Sequence, residues 1–299
     1  MKHTLFYFLT HPLYTFHAIR MKISDRYSIE QQWKTCMDYP LDLDNPKSAC
    51  EKYQWLKLHD RNPLYHKLVD KYEVKKYVAD RIGEEHVVKA YGVYDSFEQI
   101  DFSKLPNQFV IKCTHDSGGF MICKDKEIFD IKAADEFFNK ALHHNHYSSF
   151  REWAYKGVRP RLLVEEYIDS LGKLDSIEYK IICIYGKVAV ITVCSGIAHT
   201  ENTLRFNDHY DIHGNKLPFW VEYKPAGKPL PPKEELDEMI SVCEKLSEGI
   251  PHVRVDLYRH NGQLYFGEFT FYTWAGYMDF HPKKYDRILG DMFELPTRK

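Results

Sequence analysis

The sequence predicts an α+β fold, and three observations carry that expectation. Residues 1 to about 105 read as mostly helical, whereas the chain from Leu105 onward is built of short, β-branched apolar runs of strand length. Helical segments at Ala133–Leu142 and Lys233–Ser247 fall between some of those runs, which excludes an all-β architecture. At 299 residues the chain has room for about two domains. We therefore expect a helical N-terminal part over 1–104 and an α+β part over 105–299.

The elements follow in order. The apolar stretch Leu5–Phe16 contains His11 and Pro12 and is shorter than the roughly 20 residues a membrane-spanning helix needs. It has no small-residue cleavage site, so it reads as a packed or interfacial segment, with peripheral membrane contact the lesser alternative. Turn signals at Asp44-Asn45-Pro46 and Arg61-Asn62-Pro63 flank a helix over Cys50–Leu58. Leu64, Leu68, Tyr72, Val74, Tyr77 and Val78 recur at helical steps and predict one helix over Leu64–Ile82, ended by Gly83. Val87–Tyr94 is extended. The strand-length runs are Phe109–Cys113, Arg161–Ile168, Tyr179–Tyr185, Lys187–Cys194, His252–Arg259 and Leu264–Phe271, with hairpin turns at Tyr185-Gly186-Lys187 and His260-Asn261-Gly262.

Composition removes several function classes. The net charge of −2 argues against a nucleic-acid partner, because non-specific affinity for polyanions needs excess Lys and Arg. Seven scattered cysteines without a CxxC pair give neither a disulfide framework nor a zinc site, and a reducing cytoplasm fits them, with contact at the inner face of the membrane as an extension. The 15% aromatic content fits a Tyr-rich core; Phe120, Tyr272, Trp274 and Tyr277, close to the polar clusters below, are candidates for a sugar-stacking wall.

Three constellations can carry chemistry. In the first, the strand Phe109–Cys113 presents Lys112 and runs into a polar loop containing His115, Ser117, Gly118 and Gly119, where glycine lets backbone N–H groups approach a phosphate closely. An ordinary hairpin turn with a solvated lysine is the alternative. In the second, Arg254, Asp256, Glu268 and Thr270 lie on paired strands. A three-residue loop closed by a bulge at Gly262 puts Arg254 opposite Glu268, with Asp256 and Thr270 on the same face, whereas a plain two-residue Asn261-Gly262 loop puts Asp256 and Glu268 on opposite faces. Two carboxylates on an otherwise apolar hairpin need a cation, and Mg²⁺ suits them; the alternative is an Arg254–Glu268 salt bridge with Asp256 solvated. In the third, Arg161–Ile168 offers backbone groups of Glu166 to Ile168 to an adenine edge, and Glu178 and Lys180 share one strand face. The triplet Asp42-Leu43-Asp44 precedes Asn-Pro as a turn would, and His143, His144 and His146 read as a solvated helix end.

Taken together and in this order, these stretches resemble the ATP-grasp fold and, more specifically, the TupA-like ATP-grasp family of bacterial surface-polysaccharide biosynthesis. The resemblance rests on Asn45-Pro-Lys through Glu51-Lys, Trp55 through Tyr65, Val69-Asp-Lys71-Tyr, Leu105 through Cys113, Pro160-Arg through Glu165-Glu-Tyr, and Arg254-Val-Asp256 through Glu268-Phe-Thr. It implies two β-containing lobes sandwiching ATP, a lid lobe over about 105–168 and a catalytic lobe over about 169–299. It further implies that Lys71 and Lys112 meet nucleotide phosphates, that His115 to Gly119 form a lid, and that Glu165 and Ile168 line the adenine pocket. Glu178 would stand near ribose and Lys180 near phosphate or substrate; Asp256 and Glu268 would hold Mg²⁺, and Arg254 would face an acyl phosphate. Thr270 departs from the family pattern, standing where many ATP-grasp enzymes have Asn, although a hydroxyl can still serve as an oxygen ligand.

The activity so implied is an ADP-forming carboxylate–amine ligase joining small-molecule or glycan-linked substrates. The alternatives are a glycosyltransferase using Asp42 and Asp44, or an ATP-binding protein that is not a ligase.

Overall fold

The computed structural model describes residues 24–169, 176–197 and 204–297; the apolar stretch Leu5–Phe16 lies outside them. Helix α1 (Asp25–Cys36) starts at Ser24, whose hydroxyl accepts the Tyr27 N–H. Helix α2 (Ala49–His59) starts with a capping box: Ser48 Oγ accepts the Glu51 N–H at 3.1 Å and Glu51 Oε2 accepts the Ser48 N–H at 3.0 Å.

The helix expected over Leu64–Ile82 is two helices, α3 (Leu64–Val69) and α4 (Glu73–Ile82). The break is chemical. Asp70 Oδ1 accepts the N–H groups of Tyr72 and Glu73 at 2.8 and 3.0 Å, offering the backbone a local alternative to the helix ladder. Its other oxygen binds Arg161 at 3.0 Å, and the Lys71 N–H, released from the helix, donates to the Thr114 carbonyl. The interruption thereby delivers Lys71 to the end of a strand.

Two antiparallel sheets follow. The first has the order β1-β4-β2-β3, from β1 (Ala90–Tyr94), β2 (Phe109–Cys113), β3 (Phe120–Cys123) and β4 (Leu162–Glu166). Strand β1 comes before residue 105 and pairs with β4, so this sheet draws on both of the segments expected from the sequence. Phe109, Ile111, Leu162 and Val164 form one face, covered by Ala134 and Phe138 of α5 (Ile131–Ala141). Val110, Lys112, Leu163 and Glu165 therefore share the other face.

After α6 (His146–Phe150), the second sheet has the order β10-β9-β5-β6-β7: β5 (Ile177–Ile184), β6 (Lys187–Ile197), β7 (Leu204–Tyr210), β9 (His252–His260) and β10 (Gln263–Thr270). On one face Ile181 and Cys183 of β5 and Val253 and Val255 of β9 are fully buried against Met239, Cys243 and Leu246 of α7 (Lys233–Ser247). Burying each such side chain stabilises the fold by roughly 1.5–3 kcal/mol. A small pair, β8 (Trp220–Val221) and β11 (Phe280–His281), closes one end, and α8 (Lys284–Asp291) docks on α2 through Asp286 Oδ1, which accepts the Cys50 N–H.

The β9–β10 register corrects the expected bulge at Gly262. His260 pairs directly with Gln263 across a two-residue turn, with Asn261 and Gly262 both at positive φ, 50° and 81°. The bulge sits at Gly267 instead, and it sets Asp256 opposite Glu268 and Arg254 opposite Thr270. Hydrophobic phase explains it. Leu264 and Phe266 alternate toward the core, Phe269 must do the same, and one extra residue between them absorbs the slip.

The segment 273–276 after β10 adopts left-handed backbone at Trp274 and Ala275, held from α2. Gln54 donates to the Ala275 and Gly276 carbonyls, and the buried Lys57 ammonium donates to Ala275 and Phe150 carbonyls at 2.8 Å each. Gly276 has φ 70°, and a Cβ there would lie 2.8 Å from Tyr53 Cβ. Gly276→Ala is accordingly expected to lose roughly 2 kcal/mol of stability in urea unfolding, whereas Gly249→Ala, at φ 73° with nothing within 4 Å, loses only about 1 kcal/mol.

Candidate functional site

The free face of the first sheet carries a charge triad. Glu165, 5% exposed, bridges Lys112 of β2 and Lys75 of α4, the latter at 2.8 Å; Lys75 also donates to the Val88 carbonyl. Burial pushes the Glu165 pKa up, but the two ammonium charges outweigh it and bring it down to about 2.

The opposite face of the second sheet carries a longer chain of charges. Asp256 is fully buried and accepts from Arg254 at 2.6 and 2.7 Å and from Lys180 at 2.5 Å. Lys180 reaches Glu178 at 3.2 Å, Glu178 accepts from Arg205 at 2.7 Å, and Arg254 extends to Glu268 at 3.5 Å. Glu268, Arg254, Asp256, Lys180, Glu178 and Arg205 thus alternate in sign across the sheet. Burial alone would raise the Asp256 pKa, yet Arg254 and Lys180 hold it low; the same carboxylate keeps Arg254 high against burial. The alternative with Asp256 solvated is overturned.

The two faces look at each other. Lys71, its pKa lowered by burial, feels the Glu268 carboxylate from the opposite sheet, and Tyr258 on β9 feels Glu165 as well as Glu178. Lys71, Lys112 and Glu165 therefore stand across a cleft from Glu178, Lys180, Arg254, Asp256, Glu268 and Thr270.

The loop between β2 and β3 is anchored rather than loose at its start. Asp116 accepts from His144 Nδ1 at 3.0 Å and His146 Nδ1 at 3.2 Å, its carbonyl takes the Lys71 ammonium, and His146 Nε2 lies 3.5 Å from Glu152. Burial opposes a charge on His146, but Asp116 and Glu152 lift its pKa to about 9. His146 is thus buried inside an ion cluster, which corrects the solvated helix end expected for it. His115 is buried too, with Nε2 at 3.2 Å from the His144 carbonyl, so its side chain serves the anchor. Ser117 is exposed, and Gly119, at φ 65°, accepts the Cys113 N–H through its carbonyl at 2.7 Å.

Other expected residues fall elsewhere. The Glu166 N–H is consumed by the Lys89 carbonyl, so it is not offered to an adenine edge, and the Glu166 side chain is exposed. Ile168 lies half-buried past the end of β4. Tyr272 is 3% exposed and belongs to the core, whereas Phe120 and Trp274 are exposed and Tyr277 sits under the Lys57 ammonium. Asp42 Oδ1 accepts the N–H groups of Asp44 and Asn45, making the turn that the sequence implied. Lys75, Arg205 and Glu152 escaped the sequence reading, and Asp116 entered it only as a member of the loop from His115 to Gly119. Nothing distinguishes Lys75 from its neighbour Lys76, and Arg205 stands on a strand whose Asn207-Asp208-His209 core hides its β character.

Two carboxylates paired across strands and opposed to Lys71 and Lys112 fit a divalent cation shared with phosphate oxygens. Asp256 is held ionised; its Oδ2 takes both Lys180 and one Arg254 donor, its Oδ1 keeps a second lone pair beside the Arg254 Nε–H, and Glu268 is open on one side. Among the described residues no group of three or more His, Cys, Asp or Glu side chains could hold a metal by itself, so further ligands would come from a substrate.

Two antiparallel sheets that face each other across opposed lysines and carboxylates define the ATP-grasp class. The chain belongs to the TupA-like ATPgrasp family, whose model matches residues 51–294. Solved structures similar to it include D-alanine–D-alanine ligase from Bacillus anthracis complexed with ATP, 19% identical over 69% of this chain and 55% of that one, TM-score 0.38. VanG D-Ala:D-Ser ligase from Enterococcus faecalis is 17% identical over 69% and 52%, TM-score 0.40. The ATP-grasp ligase PsnB with minimal precursor, Mg and ADP is 8% identical over 82% and 64%, TM-score 0.40. The chain spans about half to two thirds of the length of these proteins. No curated protein sequence matches it. Among the described residues no helix is long and apolar enough to cross a membrane.

The Glu165 triad yields a pH-dependent prediction. A carboxylate whose pKa falls from 4.5 to about 2 on folding contributes on the order of 3 kcal/mol above its unfolded pKa, lost as pH drops from about 4.5 toward 2. Glu165→Gln should therefore unfold at lower urea than the parent at pH 7, and the gap should shrink steadily below pH 4.5.

Proposed function

We propose that the chain is an ATP-dependent carboxylate–amine ligase that forms an amide through an acyl phosphate and releases ADP. The observation that carries this reading is the opposition of Lys71, from the break between α3 and α4, and Lys112 of the first sheet to the Asp256–Glu268 pair, Lys180 and Arg254 of the second. On this reading the amide belongs to surface-polysaccharide biosynthesis, with a uronic acid, an amino sugar or an amino acid among the substrates joined.

The chemistry asks little covalent work of the protein. A free carboxylate has a poor leaving group, and accepting the γ-phosphoryl group of ATP gives it a good one, which an amine then displaces. Lys71 and Lys112 are placed to draw the nucleotide phosphates into the cleft, and Arg254 and Lys180 to balance charge on the phosphoryl group and on the attacking carboxylate. Mg²⁺, when bound, would neutralise phosphoryl charge, with Asp256 and Glu268 holding it and Thr270 beside them. Ser117 and Gly118, between the Asp116 anchor and the Gly119 carbonyl that accepts the Cys113 N–H, are the part of the loop left to cover the phosphates and exclude water from the acyl phosphate. Asp42, committed to its own turn, leaves a glycosyltransferase reading without its metal ligand.

Purified protein given Mg²⁺-ATP, a carboxylate and an amine should release ADP and phosphate. AMP and pyrophosphate as products would sink the mechanism. Glu268→Gln, at a half-exposed position, should keep the fold and lower kcat by about 100-fold or more, checked by ADP release alongside a thermal melt.

A further inference from the structure

Two carboxylates from separate parts of the chain close on one imidazole at the start of α6. Asp116, in the loop after β2, presents Oδ1 to His146 Nδ1 at 3.2 Å, and Glu152 presents Oε1 to His146 Nε2 at 3.5 Å. All three side chains are buried. An ionised carboxylate can only accept and a neutral imidazole has a single N–H, so a ring held by carboxylates at both nitrogens is the imidazolium.

This charge stands behind the nucleotide cleft. The Asp116 carbonyl takes the Lys71 ammonium, and Ser117 and Gly118 follow Asp116 directly in the chain. His144 Nδ1 reaches the other Asp116 oxygen at 3.0 Å, but its side chain is 46% exposed, so the buried grip on Asp116 is that of His146. Around the ring, Tyr155 packs at 4.2 Å, Lys57 of α2 feels the Glu152 carboxylate, and His115 Nε2 goes to the His144 carbonyl.

We infer that His146 is a positioning residue for the nucleotide: its imidazolium, clamped between Glu152 and Asp116, fixes the Asp116 backbone and with it both the Lys71 ammonium and the base of the Ser117–Gly118 segment. The inference rests on the ligase reading and adds to it a residue that touches neither substrate nor reacting atoms. Loss of the proton leaves the ring able to donate to only one of its two carboxylates, and a buried carboxylate without its donor turns toward water. Burial lowers the His146 pKa, the two carboxylates lift it to about 9, and nucleotide affinity therefore falls as pH rises through that value. Glu152→Gln removes one of the charges that hold the proton and moves the loss to lower pH. Lys71, its own pKa lowered by burial, also discharges in alkaline solution, but the charges it feels are those of Glu268, Lys112, Asp116 and Cys113. A shift produced at Glu152 thus belongs to His146.

The test titrates the full chain with Mg²⁺ and the imido analogue of ATP by calorimetry, from about pH 6 to 9.5. The parent should lose affinity about threefold or more between pH 8 and 9.5, and Glu152→Gln should show the same loss about half a pH unit or more lower. His146→Gln should bind about tenfold or more weakly at pH 7. Should that variant melt early, histidine NMR of the parent carries the test, with the His146 proton lost at the pH where affinity falls. A parent without alkaline loss, a Glu152→Gln profile that coincides with the parent's, a folded His146→Gln that binds within about twofold of the parent, or an NMR midpoint apart from the affinity midpoint would each overturn the inference and leave the ligase reading standing. A parent that binds no nucleotide at pH 7 would overturn both.

Discussion

A carboxylate with no solvent exposure in the middle of a five-stranded sheet is the constraint around which the rest is arranged. Asp256 can stay charged there only because Arg254 and Lys180 flank it, and losing one partner of such a buried pair costs about 3–5 kcal/mol. The requirement propagates. Lys180 must come from β5, the Gly267 bulge must turn Glu268 toward the same face, and Glu178 and Arg205 carry the alternation to β7. The face as a whole is neutral, which lets a charged cluster persist over a core that is otherwise Val, Ile, Leu and Phe.

Much of this was legible in the chain. The strands with clean β-branched runs, such as Phe109–Cys113 and His252–His260, stand where the residues say, because alternation and burial agree. The convergence of Arg254, Asp256, Glu268 and Thr270 was legible too, but through the wrong bulge. Gly262 and Gly267 both suit a bulge locally, and only the packing of Leu264, Phe266 and Phe269 on one core selects between them. The helix break at Asp70 was hidden for a related reason. Apolar periodicity continues through it, and the competing interaction is a side chain folding back on its own backbone and out to Arg161, 91 residues away.

The first sheet is stabilised by a different device. Glu165 neutralises two lysines that would otherwise repel each other at close range. On the proposed function, a nucleotide phosphate would compete with Glu165 for Lys112. The histidine cluster was unreadable from sequence because its meaning lies in Asp116 and Glu152, neither of which is adjacent to it in the chain.

The capping box of α2 has a further consequence. Besides joining Ser48 to Glu51, its first turn offers the Cys50 N–H to Asp286 of α8. Further along, the same helix gives Tyr53 to His252 of β9 and Gln54 and Lys57 to the turn beneath Trp274. One capped helix therefore ties the C-terminal helix, the second sheet and that turn to a single rigid rod, so loosening its first turn would be felt at all three.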